Sequence, residues 1–141
     1  MKAFFDTSVL VASFFGEHPH HVASIGVLSR FSREEASCAA HSLLELYSVL
    51  TRMPGKNRAS GDQAMRCVEK FNEHLIVVAM TPEEYLKCVR ETFERGITGG
   101  AIYDAHIAAC ALKAGAQTLF TWNRRDFDRF GPKVSAILRT P

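Results

Sequence analysis

Four acidic side chains, Asp6, Glu45, Asp104 and Asp126, stand where a globular chain has little need of them for solubility. Asp6 directly follows the apolar run Ala3-Phe4-Phe5, Glu45 interrupts Leu43-Leu44-Glu45-Leu46, and Asp104 lies near the start of Ile102–Ala109. Asp126 comes shortly after Leu119-Phe120-Thr121. Each has an ordinary explanation: a strand-end Asp can cap a helix, a Glu can lie on a solvated stripe, and a helix dipole favours an acid in the first turn. The same strand-end or helix-start placement in four separate units is harder to explain that way. Carboxylates brought together repel, and their pKa values rise unless a cation neutralises them. Hard oxygen ligands select Mg²⁺ or Mn²⁺, and a water acidified by such an ion can attack a phosphodiester. That chemistry requires no catalytic Ser, Cys or His.

Short apolar strands alternating with helices must position these acids. Ala3–Phe5 reads as a buried strand, followed by a helix from Thr7-Ser8 through Phe15 and a second from beyond Pro19 to about Phe31. Glu35–Ala39 reads as a second strand. Leu43, Leu46, Tyr47 and Leu50 recur at helical spacing within Ser42–Arg52, as do Ala64, Met65, Val68 and Phe71 within Gly61–Asn72. Leu75–Val78 is an apolar, β-branched strand. Thr81-Pro82-Glu83-Glu84 is a helix start with its cap, first-turn proline and acid three residues on, and that helix should end at Gly96. Ile102–Ala114 is a further helix closed by Gly115, Gln117–Thr121 a buried strand, and Val134–Ile137 a last strand. The alternation implies a parallel sheet between helical layers. In such sheets ligands bind at the carboxyl ends of the strands, where Asp6 stands.

The 141 residues fit one domain, residues 1–141, with no repeat or linker. A net charge of +2 is compatible with a polyanionic partner but too small to argue for one. Cys38, Cys67, Cys88 and Cys110 are widely spread and make no CxxC pair, so all are expected as reduced, buried thiols. No leader-like or membrane-length apolar run is visible, which makes the cytoplasm the expected location.

The motifs together resemble the PIN-domain family. They are Phe5-Asp6-Thr7-Ser8-Val9-Leu10, then Leu44-Glu45-Leu46 with Leu50-Thr51-Arg52, then Tyr103–Ala109, and finally Leu119–Phe127. Any one is weak; all of them in this order cover nearly the whole chain. The resemblance, especially to bacterial VapC-type toxins, implies a three-layer α/β/α sandwich around a central parallel sheet, with Asp6, Glu45 and Asp104 binding Mg²⁺ or Mn²⁺. It also implies an endoribonuclease that cleaves single-stranded or structured RNA with metal-activated water, forms a homodimer, and is the toxin partnered by an antitoxin protein. For the fourth acid, some members carry an Asp where Asn123 stands and others use the acid of the Asp-Phe pair, here Asp126. Asp126 is favoured as catalytic and metal-binding support, with Asn123 as a neutral ligand or water holder. Thr7, Ser8 and Thr121, like Asn123, are expected to hydrogen-bond the carboxylates or the metal's waters.

Arg52, Arg124 and Arg125 are the candidates for RNA phosphate contacts, although a solvated face explains most basic residues here, Arg58, Arg129 and Lys56 included. His18, His20 and His21 surround Pro19 without the spacing of a helical zinc site and read as a surface loop. His106, two residues beyond Asp104 on a helix, reads as a core or partner contact. Phe14, Phe15 and Phe31 are assigned to a helical hairpin or a homodimer face. A phosphorelay receiver needs paired acids after the first strand and one after the third, and a haloacid-dehalogenase-type phosphatase needs Asp where Ser8 stands. Neither pattern is met. The rival that remains is a PIN-like nucleic-acid-binding or regulatory module with a DNA-binding partner and little or no turnover.

Overall fold

Alternation along the first strand sets the layering. Side chains of successive strand residues point to opposite faces, so Ala3 and Phe5 enter one core while Phe4 enters the other. All three are fully buried. The computed structural model describes residues 1–141. Its sheet contains β1 (Ala3–Phe5), β2 (Ala36–Ala39), β3 (Ile76–Val78), β4 (Thr118–Phe120) and β5 (Leu138–Arg139), all parallel, in the order β3-β2-β1-β4-β5. β1 lies in the middle, with Ala3 opposite Ala36 of β2 and Phe5 opposite Phe120 of β4.

One face of the sheet is covered by α1 (Thr7–Phe14), α2 (His21–Leu28), α3 (Ala40–Arg52) and α4 (Gly61–His74). They contribute Val9, Leu10, Val27, Leu46, Leu50 and Ala64 to a core with Phe5 and Cys38. The other face carries α5 (Pro82–Glu94), α6 (Ala101–Lys113), α7 (Arg124–Asp128) and α8 (Pro132–Ile137), whose Ile107, Ala108, Phe127 and Val134 pack on Phe4, Leu119 and Leu138. Burying each large apolar side chain contributes about 1.5–3 kcal/mol, which is why both faces must be covered. The three-layer α/β/α sandwich expected from the sequence is present.

The helix starts follow local chemistry. Thr81 caps α5 and Ser60 caps α4, each in a reciprocal capping box, with Glu84 and Gln63 completing them. One expected element is corrected. Val134–Ile137 is helical, not extended, because Pro132 after Gly131 starts α8, and the last strand is displaced to Leu138–Arg139. All four cysteines are free and buried, and burial pushes the thiols of Cys38 up to about 12 and of Cys67 and Cys110 up to about 11. No helix is long and apolar enough to cross a membrane.

The strand order places a site. The chain moves outward from β1 through β2 to β3, then crosses to the far side of β1 to form β4 and β5. Neighbouring strands whose connections leave in opposite directions open a crevice at their carboxyl ends. Here those strands are β1, followed by Asp6, and β4, followed by Thr121.

Candidate active site

Asp6 stands at that crevice, 2% exposed. It is the N-cap residue of α1, yet its side chain makes no well-formed helix-capping hydrogen bond, so capping alone does not account for this acid. Ser8 Oγ donates to Asp6 Oδ2 at 2.6 Å and Thr121 Oγ1 donates to the same oxygen at 2.8 Å. Thr121 thereby ties the ends of β1 and β4 together through their side chains. Burial nevertheless dominates and holds the Asp6 carboxyl above its ordinary range, against the Ser8 and Thr121 hydroxyls and the nearby backbone N–H groups of Ser8 and Thr7.

Glu45 reaches the same place from the second turn of α3. It is half-buried, not on a fully solvated stripe. His41, one turn earlier, brings Nε2 to 2.9 Å from Glu45 Oε1. That distance makes an ion pair when the imidazole is protonated, but Oε1 is buried and has no aligned hydrogen-bond partner. Burial raises the Glu45 carboxyl, His41 and the Thr7 hydroxyl lower it, and the Asp6 charge raises it further. Thr7 Oγ1 itself donates to Ser42 Oγ at 2.9 Å, which fixes the start of α1 against α3.

Asp104 lies in the first turn of α6, and burial followed by the charges of Asp6, Asp126 and Glu45 pushes its carboxyl up to about 6. Arg129 opposes them. Asp104 therefore feels the charge of three acids on other elements, Glu45 feels that of Asp6, and Asp6, Glu45 and Asp104 all line one cleft of about 530 Å³. Thr7, Ser8 and Asn123 line it too. No three of the chain's His, Cys, Asp and Glu side chains are already drawn close enough to clasp an ion. The cleft is a gathering of acids that a cation would have to tighten.

The other expected residues divide. Asp126, exposed in the first turn of α7, does not line the cleft and bears on it only through Asp104, whereas Asn123 lies on its wall. Arg124 and Arg125 follow Asn123 directly but are exposed and outside the lining. Arg52 is two helical turns beyond Glu45, about 10 Å along α3, and is likewise outside. A larger cleft of about 840 Å³, walled by Phe14, Leu28, Phe31 and Phe71, lies elsewhere and gathers no such acids.

The family model described as PIN domain matches residues 3–132. This chain belongs to the PIN-domain family. Two Mycobacterium tuberculosis proteins are close in sequence: ribonuclease VapC27, 39% identical over 113 residues covering 79% of this chain and 78% of that one, and ribonuclease VapC40, 34% identical over 122 residues covering 81% of each. Among solved structures, DNA-bound VapBC from Salmonella typhimurium superposes with a TM-score of 0.69 at 17% identity, covering 99% of this chain and 98% of that one. The sarcin-ricin-loop-cleaving toxin VapC20 of M. tuberculosis gives 0.68 at 17% identity, over 84% and 87%. At that identity the structures establish the fold.

Against the PIN-domain motifs, two features of this cleft were not visible in the sequence. His18 and His20 line it, and His20 stacks flat on Trp122, with ring centroids 3.6 Å apart and planes 9° apart. His18 and His20 lie on the exposed turn before α2, the surface loop expected from the sequence, and that loop forms part of the cleft wall. His21 opens α2, and its Nδ1 lies 3.0 Å from the Ala12 carbonyl. The His20–Trp122 pairing spans about a hundred residues of chain and depends on β4 ending beside α1, which no local pattern announces. His106 is buried, as the sequence suggested, stacked on Tyr85 and edge-on to His41. Phe14, Phe15 and Phe31 pack against the core around α1 and α2, which satisfies the hairpin assignment.

Proposed function

We propose that this PIN-domain protein is a Mg²⁺- or Mn²⁺-dependent endoribonuclease. The observation that carries the reading is the convergence of Asp6, Glu45 and Asp104 on one cleft, where buried Glu45 Oε1 has only the poorly aligned His41 Nε2, 2.9 Å away, beside it. Three buried or half-buried carboxyls with raised pKa values are costly in isolation, and a hard divalent cation is the partner that offsets them. The donors are all oxygen, which fits Mg²⁺ or Mn²⁺ and not a softer metal. Asp6, Glu45 and Asp104 would hold the ion, with Asn123 on the wall as a neutral ligand or water holder and Asp126 as outlying acidic support. When bound, the ion supplies an acidified water and a counter-charge for the phosphodiester in its transition state. Ser8 and Thr121 hold Asp6 Oδ2 by donated hydrogen bonds, so the carboxylate presents its other oxygen to the cleft. The Thr7–Ser42 bond keeps α1 and α3, and therefore Asp6 and Glu45, in register.

RNA is the proposed substrate, since two relatives that match most of this chain bear the name ribonuclease. Cleavage falls on single-stranded or structured RNA, with Arg124 and Arg125, next in sequence to Asn123 on the cleft wall, taking flanking phosphates and Arg52 further out. In the same reading the protein is the toxin of a type II pair whose antitoxin is a second chain, acting in the cytoplasm as a homodimer; that VapBC complexes share its fold supports the antitoxin partner. The purified chain should cut an RNA pool with Mg²⁺ or Mn²⁺ and stop on addition of EDTA. Asp6→Asn should lower the rate by about a hundredfold or more while the circular dichroism stays native and unfolding stays cooperative. Cleavage that persists in EDTA, or in the folded Asp6→Asn protein, overturns the reading. A folded wild-type chain that cuts nothing in either metal leaves the binding module as the function.

A further inference from the structure

The metal chemistry just described has no role for the aromatic column on the cleft wall. Trp122 follows Thr121 at the carboxyl end of β4, and two hydrogen bonds fix it there. Its indole Nε1–H donates to Ser24 Oγ at 2.9 Å, and its backbone N–H donates to Ser8 Oγ at 3.1 Å. Ser24 is completely buried in α2, so the indole is anchored to the body of the protein on one side. Ser8 also donates to Asp6 Oδ2, so Trp122 and the carboxylate share one hydroxyl as a common support. His20 lies flat on the indole at 3.6 Å and is itself exposed. The neighbouring His18 ring is 5.6 Å away and tilted by 46°, too oblique to complete a parallel stack.

A rigid indole carrying an exposed, parallel imidazole beside a phosphodiester-cleaving centre is the arrangement by which proteins hold unpaired bases. Every base has a flat π face, and stacking on aromatic side chains tolerates any sequence. We propose that Trp122 and His20 form a nucleobase-stacking subsite: a base next to the scissile phosphate stacks on the column at His20, which delivers that phosphate to the Asp6–Glu45–Asp104 cleft. The proposal rests on the ribonuclease reading for its substrate, but its test does not. It places the protein's preference on unpaired segments, because a base held in a duplex offers no free face. No side chain of the column presents hydrogen-bonding groups in a fixed pattern for one base, so the subsite selects a base over no base.

Trp122 is the chain's one tryptophan, so its emission reports on the column alone. The probes are hexaadenylate, hexauridylate and an abasic ribose-phosphate hexamer of equal charge, each titrated in EDTA so that no cleavage intervenes. Fluorescence anisotropy of labelled oligomers gives affinity, and tryptophan emission gives contact. The expected result is a saturable change in Trp122 emission with both base-bearing hexamers and about tenfold weaker binding of the abasic one. His20→Ala should weaken hexaadenylate to the abasic level, and His20→Phe should restore it, with the melting profiles of both variants matching wild type. Equal affinity for abasic and base-bearing oligomers, unchanged affinity in His20→Ala, unchanged emission at saturation, or no binding of any hexamer each overturns the proposal. Protein–protein stacking at this column predicts that last result. A chain that stacks bases but cleaves nothing when given metal loses the ribonuclease reading and keeps this one; a chain that cleaves yet ignores base removal does the reverse.

Discussion

At the scale of single residues, the cleft is held together against its own charge. Asp104 shows the cost: its carboxyl titrates at about 6 in the folded chain against an ordinary value of 3.8, first through burial and then through Asp6, Asp126 and Glu45. A carboxyl raised in this way binds its proton more tightly when folded than when unfolded. The metal-free protein is therefore unpenalised below about pH 4, loses stability as the pH climbs through 6, and stays reduced above it. Asp6 and Glu45 are raised as well and add in the same direction. In EDTA at pH 7, Asp104→Asn should raise stability by about 1–2 kcal/mol, or roughly 3–6 °C in melting temperature, after allowance for partial exposure. At pH 4 the gain should vanish. Mg²⁺ should stabilise wild type at pH 7 and do much less for the variant, which should also have lost cleavage. A calorimetric scan that finds Asp104→Asn less stable than wild type at pH 7 in EDTA would show that the charge is already compensated.

At the scale of elements, legibility followed the range of the forces. β1 was readable because Ala3-Phe4-Phe5 is apolar on both faces, and α5 because Thr81, Pro82 and Glu84 carry a complete capping signal. Asp6, Glu45 and Asp104 were readable as acids in odd places, and the parallel sheet explains their meeting. The Trp122–His20 stack and the helix at Pro132–Ile137 were not, since the first joins distant segments and the second turns on one backbone angle. Gly131 has φ +101°, a conformation side-chain-bearing residues rarely adopt, and a Cβ there would meet Arg95 Nη2 at 3.0 Å. The guanidinium can swing away; the backbone cannot. Gly131 starts α8, which carries the chain to β5, where Leu138 pairs with Leu119 and the Arg139 carbonyl accepts from Thr121 N–H at 3.0 Å. Gly131→Ala should thus destabilise by about 1–3 kcal/mol in urea unfolding. Gly26→Ala, inside α2 with open space around it, should instead stabilise by roughly 0.5–1 kcal/mol. Two substitutions of identical chemistry moving in the same direction would refute the assignment of strain to the α7–α8 corner.

At the scale of the molecule, one outer face lacks a cover. On α5, Leu86, Val89 and Phe93 are 60%, 53% and 78% exposed, and their spacing of three and four residues aligns them along one side of the helix. The inner side of α5 is satisfied by Cys88 and Thr92 against α6, so the outer stripe plays no part in the fold of a single chain. A contiguous run of large apolar side chains on a soluble surface marks a contact surface. The homodimer proposed above accounts for it, because two copies related by a two-fold axis would lay one stripe against the other. The stripe belongs to the α5–α8 layer and contributes nothing to the lining of the acidic cleft, so pairing through it leaves both clefts open to substrate. Analytical ultracentrifugation at micromolar concentration should then give twice the monomer mass. Val89→Glu with Phe93→Glu should give the monomer mass, an unchanged monomer fold by circular dichroism, and metal-dependent cleavage per chain that survives. A wild-type monomer under those conditions, or a double variant that still sediments as a dimer, rules this face out. Loss of cleavage in the folded monomer would place part of the active machinery across the interface, whereas all the acids proposed to hold the ion come from one chain.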